Sequence, residues 1–154
     1  MTITLYAIKA EQTRVSEMIA AFEKQQKERA TLYFPEVTID LKPGEEYAGM
    51  IVSNGGESSW HVILLPGDLD KGSWSEAMNW ASKQGGGLPN RREQSLLFAN
   101  LKESFEKAWY WSAETHESDS AYAWYQYFGY GYQTYYRKGD SYCRARAVRR
   151  LVIE

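Results

Sequence analysis

The chain of 154 residues is long enough for one domain of ordinary size with a short appendage, and too short for two full domains. Its 44% hydrophobic and 25% charged residues, with a formal net charge of -2, exclude a disordered or collagen-like chain. A pI near 5.8 disfavours a chain-wide footprint for nucleic acid, and the single Cys143 excludes an intrachain disulfide.

Only His61 and His116 accompany Cys143, so the spacing of a structural zinc set is missing and no metal or cofactor is expected. Met1 to Ala10 lacks the basic lead and cleavage site of a signal peptide, and the longest aliphatic run, Val62 to Leu65, is too short for a bilayer. Cytoplasmic synthesis without a membrane span is therefore the expectation, with the outside reached only inside a particle or by an unusual route.

In chain order, Val15, Met18, Ile19 and Phe22 recur at helical spacing and predict an amphipathic helix from Glu11 to Ala30. This stripe covers about two turns, less than a coiled coil wants, so the helix is expected to dock on the chain's own sheet. Thr31 to Leu41 (broken by Pro35), Tyr47 to Ser53 and Trp60 to Leu65 read as strands of a small antiparallel sheet, with a turn at Lys42-Pro43-Gly44-Glu45 and a hairpin signal at Asn54-Gly55. Ser73-x-x-Glu76 is a capping box opening a second helix that stops at Gly85-Gly86-Gly87. Asn90 and Glu93 open a third, with Leu96, Leu97 and Leu101 on its apolar face to about Phe105. Four aromatic strands follow: Trp109 to Ser112, Ala121 to Phe128, Tyr132 to Lys138 and Tyr142 to Val152. The fold class is α+β, with residues 1–55 preceding or packing on a main domain of residues 56–154.

Five separated motifs occur in order: Gly72-Ser73-Trp74-Ser75-Glu76-Ala77, Gly86-Gly87-Leu88-Pro89-Asn90-Arg91-Arg92-Glu93, Tyr110-Trp111-Ser112-Ala113-Glu114, Ala123-Trp124-Tyr125 and Arg144-Ala145-Arg146-Ala147-Val148-Arg149. Over roughly residues 60–152 this pattern resembles the Lcl-C-terminal domains of unknown function. The resemblance implies a C-type-lectin-like fold and a setting in phage, prophage or bacterial surface proteins, where binding is commoner than catalysis. Two residues depart from the family pattern. Ala147 stands where many members have a cysteine, which removes a common disulfide, and Asn90 replaces the usual Thr.

Most of the chain's 12 tyrosines fall after Trp109. In Ala121 to Phe128 alternate side chains share a face; with Trp124 and Phe128 taken as core, Tyr125 and Tyr127 point outward, and Tyr130, Tyr132, Tyr135 and Tyr136 continue the series, from which Tyr125, Tyr127, Tyr130, Tyr132 and Tyr135 are taken. These five residues are the candidate ligand-binding face, although tyrosine also pairs across strands for packing alone. Arg144, Arg146, Arg149 and Arg150 suit salt bridges to acids such as Glu93 or Glu114 better than a phosphate groove. The acidic loop Glu114 to Ser120 lacks the calcium words of sugar-binding lectins, and no nucleophile–base order is present, so no catalytic residue is assigned. The expected function is non-catalytic recognition of a protein or glycan partner, phage- or prophage-associated. The alternatives are an assembly protein of a phage particle, which admits a homo-oligomer, or a small intracellular inhibitor of a host protein.

Overall fold

The computed structural model describes residues 2–28, 33–53 and 58–153, in two compact units, Met1–Val37 and Thr38–Glu154. Arg29 to Leu32 and the Asn54-Gly55 turn signal lie outside the described residues.

The first unit is built on helix α1 (Leu5–Glu28). Thr4 starts it: its hydroxyl accepts the Ala7 N–H at 3.2 Å, the bond of an N-cap to the third helical residue. The helix thus begins earlier than the predicted Glu11. It buries none of its residues, and Val15, Met18, Ile19 and Phe22 are 50–60% exposed. The apolar positions also continue through Leu5 and Ile8, which makes the stripe longer than the two turns read from the sequence.

Residues 33–41 form no strand, contrary to expectation. Pro35 lacks the N–H that a ladder requires, and Tyr33, Phe34, Val37 and Leu41 are all exposed, so no alternating face is buried. The following turn does form, with the Glu45 N–H donating to the Lys42 carbonyl at 3.0 Å and Gly44 at φ +83°.

The second unit is α+β. Strands β1 (Glu46–Ile51), β2 (Trp60–Leu64) and β8 (Val148–Val152) make an antiparallel sheet in the order β1-β2-β8. The division between units falls before β1 because that strand pairs directly with β2. The second sheet has the order β3-β7-β4-β5-β6, from β3 (Leu69–Gly72), β4 (Trp109–Thr115), β5 (Tyr122–Tyr127), β6 (Tyr132–Arg137) and β7 (Cys143–Ala145). It is mixed, since β4 and β7 run parallel. The single closing strand expected from Tyr142 to Val152 is two strands in different sheets. Between them Arg146 donates to the carbonyls of Ser104 and Leu65, and the chain crosses from one sheet to the other.

Two helices cover opposite faces of the larger sheet. Helix α2 (Trp74–Lys83) opens on Ser73, whose hydroxyl accepts the Glu76 N–H, and packs Ala77 and Ala81 against Trp111, Tyr125, Cys143 and Ala145. Helix α3 (Arg91–Leu101) opens on the Asn90–Glu93 capping box and packs Leu97 against Tyr110, Phe128, Val62 and Val148. Neighbouring Tyr110 and Trp111 therefore feed two different core clusters, as strand alternation requires. After α2, Gly85 adopts φ +92°, and Gly86 lies so close to the Val148 carbonyl that a Cβ there would sit 2.1 Å from the oxygen.

Arg149 grips Glu45 through two hydrogen bonds, of 2.7 and 3.1 Å, and these hold the Glu45 carboxyl below its ordinary value of 4.5. A carboxyl lowered in the folded state contributes stability that is complete above its ordinary value and is lost as pH falls through the lower one. Glu45→Gln should therefore lower the melting temperature near neutral pH, with the gap narrowing as pH falls below the ordinary value of 4.5. Thermal melts across that range check it, and a gap that persists undiminished in acid would contradict the ionic origin.

Candidate functional site

The aromatic strands place their rings by register. Trp109, Tyr127 and Tyr132 stand opposite one another across β4, β5 and β6, and so share one face. Trp109 lies 5.3 Å from Tyr127 and 6.3 Å from Tyr132 by ring centroids. Beneath them Tyr125 stacks on Trp109 at 4.1 Å and on Tyr136 at 5.4 Å. In the turn, Tyr130 meets Tyr127 at 5.6 Å, and the Tyr127 ring lies over Gly129, where a Cβ would meet it at 2.3 Å. Gly131 takes φ +78° and donates to the Tyr127 carbonyl, which closes the hairpin.

Of the five tyrosines named from the sequence, Tyr127, Tyr130 and Tyr132 come together on this face, with Tyr130 83% and Tyr132 62% exposed. Tyr125 does not belong to the surface: at 8% exposure it is core, packed under α2, and burial pushes its phenol up to about 12. The expectation failed because it allowed β5 one buried face, whereas α2 and α3 bury part of each. Tyr135 is also misplaced. It pairs with Trp124 across β5 and β6 and so lies on the opposite face from Tyr132. Strand parity carried the correct assignment: Tyr132 and Tyr136 are separated by an even number of residues and Tyr132 and Tyr135 by an odd one. Half-buried Trp109 and the platform role of Tyr125 were missed, and Tyr136, part of the series in the sequence, was left out of the chosen face in favour of Tyr135.

On that opposite face His116 lies 4.2 Å from Tyr135 and 5.5 Å from Trp124. The Arg91 guanidinium sits 3.5 Å above Trp124 while its Nε donates to Gln133, so the charge is held between a ring and an amide. Beside it Asn90, Arg91, Arg92, Ser95, Glu114 and Gln133 line an open polar depression of about 550 Å³.

The arginines of the C-terminal strands are engaged. Arg144 pairs with Asp68 and Asp70, Arg149 with Glu45, and Arg150 with Glu93, while Arg146 is spent on carbonyl oxygens. Glu114, the other acid named as a partner, instead accepts the Arg91 N–H at 2.6 Å. In the acidic loop, Glu117 accepts from the Trp124 indole and Asp119 from the Ala121 N–H.

Cys143 is buried, and burial, followed by the nearby Asp140 charge, pushes its thiol up to about 12. His61 shares a 2.8 Å hydrogen bond with the Tyr47 hydroxyl. Among the described residues no cluster of His, Cys, Asp or Glu is large enough to hold a metal ion, and no helix is long and apolar enough to cross a membrane. Compared with models of known protein families, the chain matches none, and no curated protein matches it.

The division between platform and surface has a direct consequence for stability. Tyr125→Ala should cost about 3–5 kcal/mol, as truncation of a large buried ring does. Tyr130→Ala should stay within about 0.5 kcal/mol. Urea denaturation of the two variants checks this, and equal losses would contradict the assignment.

Proposed function

We propose that the chain is a non-catalytic recognition protein whose residues 56–154 form a C-type-lectin-like domain, and that it binds a protein or glycan partner through its aromatic hairpin. The observation that carries this reading is the exposed row of Tyr132 and Tyr136 on the edge strand β6, extended by Tyr130 in the preceding turn and continued inward by Tyr127 and Trp109. Buried Tyr125 holds Trp109 and Tyr136 by stacking, Trp109 in turn meets Tyr127 and Tyr132, and Tyr130 rests against Tyr127, so the rings are ordered before any partner arrives. Little side-chain entropy is then lost on binding, and each ring offers an apolar face with a hydroxyl at its rim. Flat aromatic faces suit the C–H faces of sugars and the apolar side chains of proteins alike.

Support for a non-catalytic role comes from the groups that chemistry would use. The Cys143 thiol is buried and raised, and His116 lies between aromatic rings. The paired arginines support a partner other than nucleic acid, since Arg144, Arg149 and Arg150 already face carboxylates. The five motifs shared with Lcl-C-terminal domains support the lectin-like reading and a phage or prophage setting, with synthesis in the cytoplasm and association with the virion.

Binding to a glycan array and to a displayed-protein library tests the proposal. Tyr130→Ala combined with Tyr132→Ala should weaken any hit by more than about tenfold, the loss expected of hot-spot aromatic residues. The melting temperature should be unchanged. Hits that survive the double substitution would place the binding face elsewhere.

A further inference from the structure

Extending α1 back to Leu5 changes the meaning of its exposed stripe. Leu5, Ile8, Gln12, Val15, Ile19, Phe22 and Gln26 follow one another at alternating intervals of three and four residues along the whole helix. That is a heptad seam with Leu5, Gln12, Ile19 and Gln26 at position a and Ile8, Val15 and Phe22 at position d. Thr13, Arg14, Glu17, Lys24 and Glu28 fall on the outer face, where Glu11–Arg14 and Lys24–Glu28 ion pairs run along the helix. The apolar seam residues are all at least 46% exposed.

We infer that α1 joins more than two copies of this chain in a parallel, in-register coiled coil. A 3.5-residue period sustained over three heptads keeps a seam facing another helix for its full length, which docking on an irregular surface does not require. The polar residue in the seam selects the occupant: Gln12 would be left unpaired against an apolar partner, but in a parallel, in-register assembly it meets the Gln12 of its neighbours, and amides can hydrogen-bond to one another. An antiparallel arrangement would set Gln12 against a d-position apolar residue. Flanking charge does not oppose this, since the parallel register brings Thr4 near Lys9, Glu11 near Ser16 and Met18 near Glu23, with no like charges facing each other. Leu at a followed by Ile at d, as in Leu5 and Ile8, shifts preference from two strands to three or four. The inference uses α1 alone and does not rest on the recognition reading.

Light scattering coupled to size exclusion on the full chain should give three or four times 17.8 kDa. A monomer or a dimer overturns the inference. Val15→Asp combined with Ile19→Asp should reduce the mass to that of one chain while the near-ultraviolet circular dichroism of the Trp-rich second unit is kept. Glu17→Ala on the outer face should leave the mass unchanged. An assembly that survives the paired aspartates is held by another surface and overturns the role of α1. Gln12→Cys reads the register: under mild oxidation it should yield a linked pair on a denaturing gel, whereas the parent, with only buried Cys143, should not. No link at position 12 overturns the parallel alignment.

Discussion

The second unit is organised around one buried carboxylate and the partly exposed arginine that pairs with it. Glu93 is fully buried, and Arg150 reaches both of its carboxylate oxygens at 2.7 Å, a bidentate contact between α3 and β8. A lone buried carboxylate would be strongly destabilising, so every remaining acceptor direction must be filled. Trp60 at the start of β2 donates its indole N–H to one oxygen, and the Asn90 N–H donates to the other. Arg150 uses a further donor on the Leu88 carbonyl. One carboxylate thus ties the cap of α3, the closing strand and the central strand of the smaller sheet.

Once α3 is fixed, it fixes the hairpin. A chain of amides runs from it: Gln94 donates to the Tyr110 carbonyl, Gln126 donates to the Gln94 carbonyl, and Gln133 donates to both the Gln126 side chain and the Arg91 carbonyl. Gln94 and Gln126 are fully buried, where such bonds are costly to break. These contacts secure one face of β4, β5 and β6. On the other face α2 buries Trp111 and Tyr125, whose rings are the base of the exposed aromatic row. The order of the exposed aromatic row thus depends on packing against both faces of its sheet.

What the sequence made legible was local. The capping residues Ser73 and Asn90 identified the starts of α2 and α3 because the hydrogen bonds they make lie within one turn. Glu93 could be named as an arginine partner because that pairing follows from residue type. Features set by distant residues were not legible. The break between β7 and β8 depends on Arg146 meeting carbonyls far away in sequence, and β3 is defined by its pairing with β7. Tyr125 read as surface because an alternating strand does not state how many layers cover it. The early start of α1 did have a local signal, the capping Thr4, and the heptad seam became visible only with the helix extended to it.

The claim that the Glu93–Arg150 pair holds this arrangement is tested most directly by a double-mutant cycle with Glu93→Gln and Arg150→Met, followed by urea denaturation. Arg150→Met should cost about 3–5 kcal/mol, because it leaves the buried Glu93 carboxylate without its partner, and Glu93→Gln should cost less, because the Arg150 it leaves is exposed to solvent. The double change should cost clearly less than the sum of the two. A loss within about 0.5 kcal/mol for Arg150→Met, or strict additivity, would contradict the account.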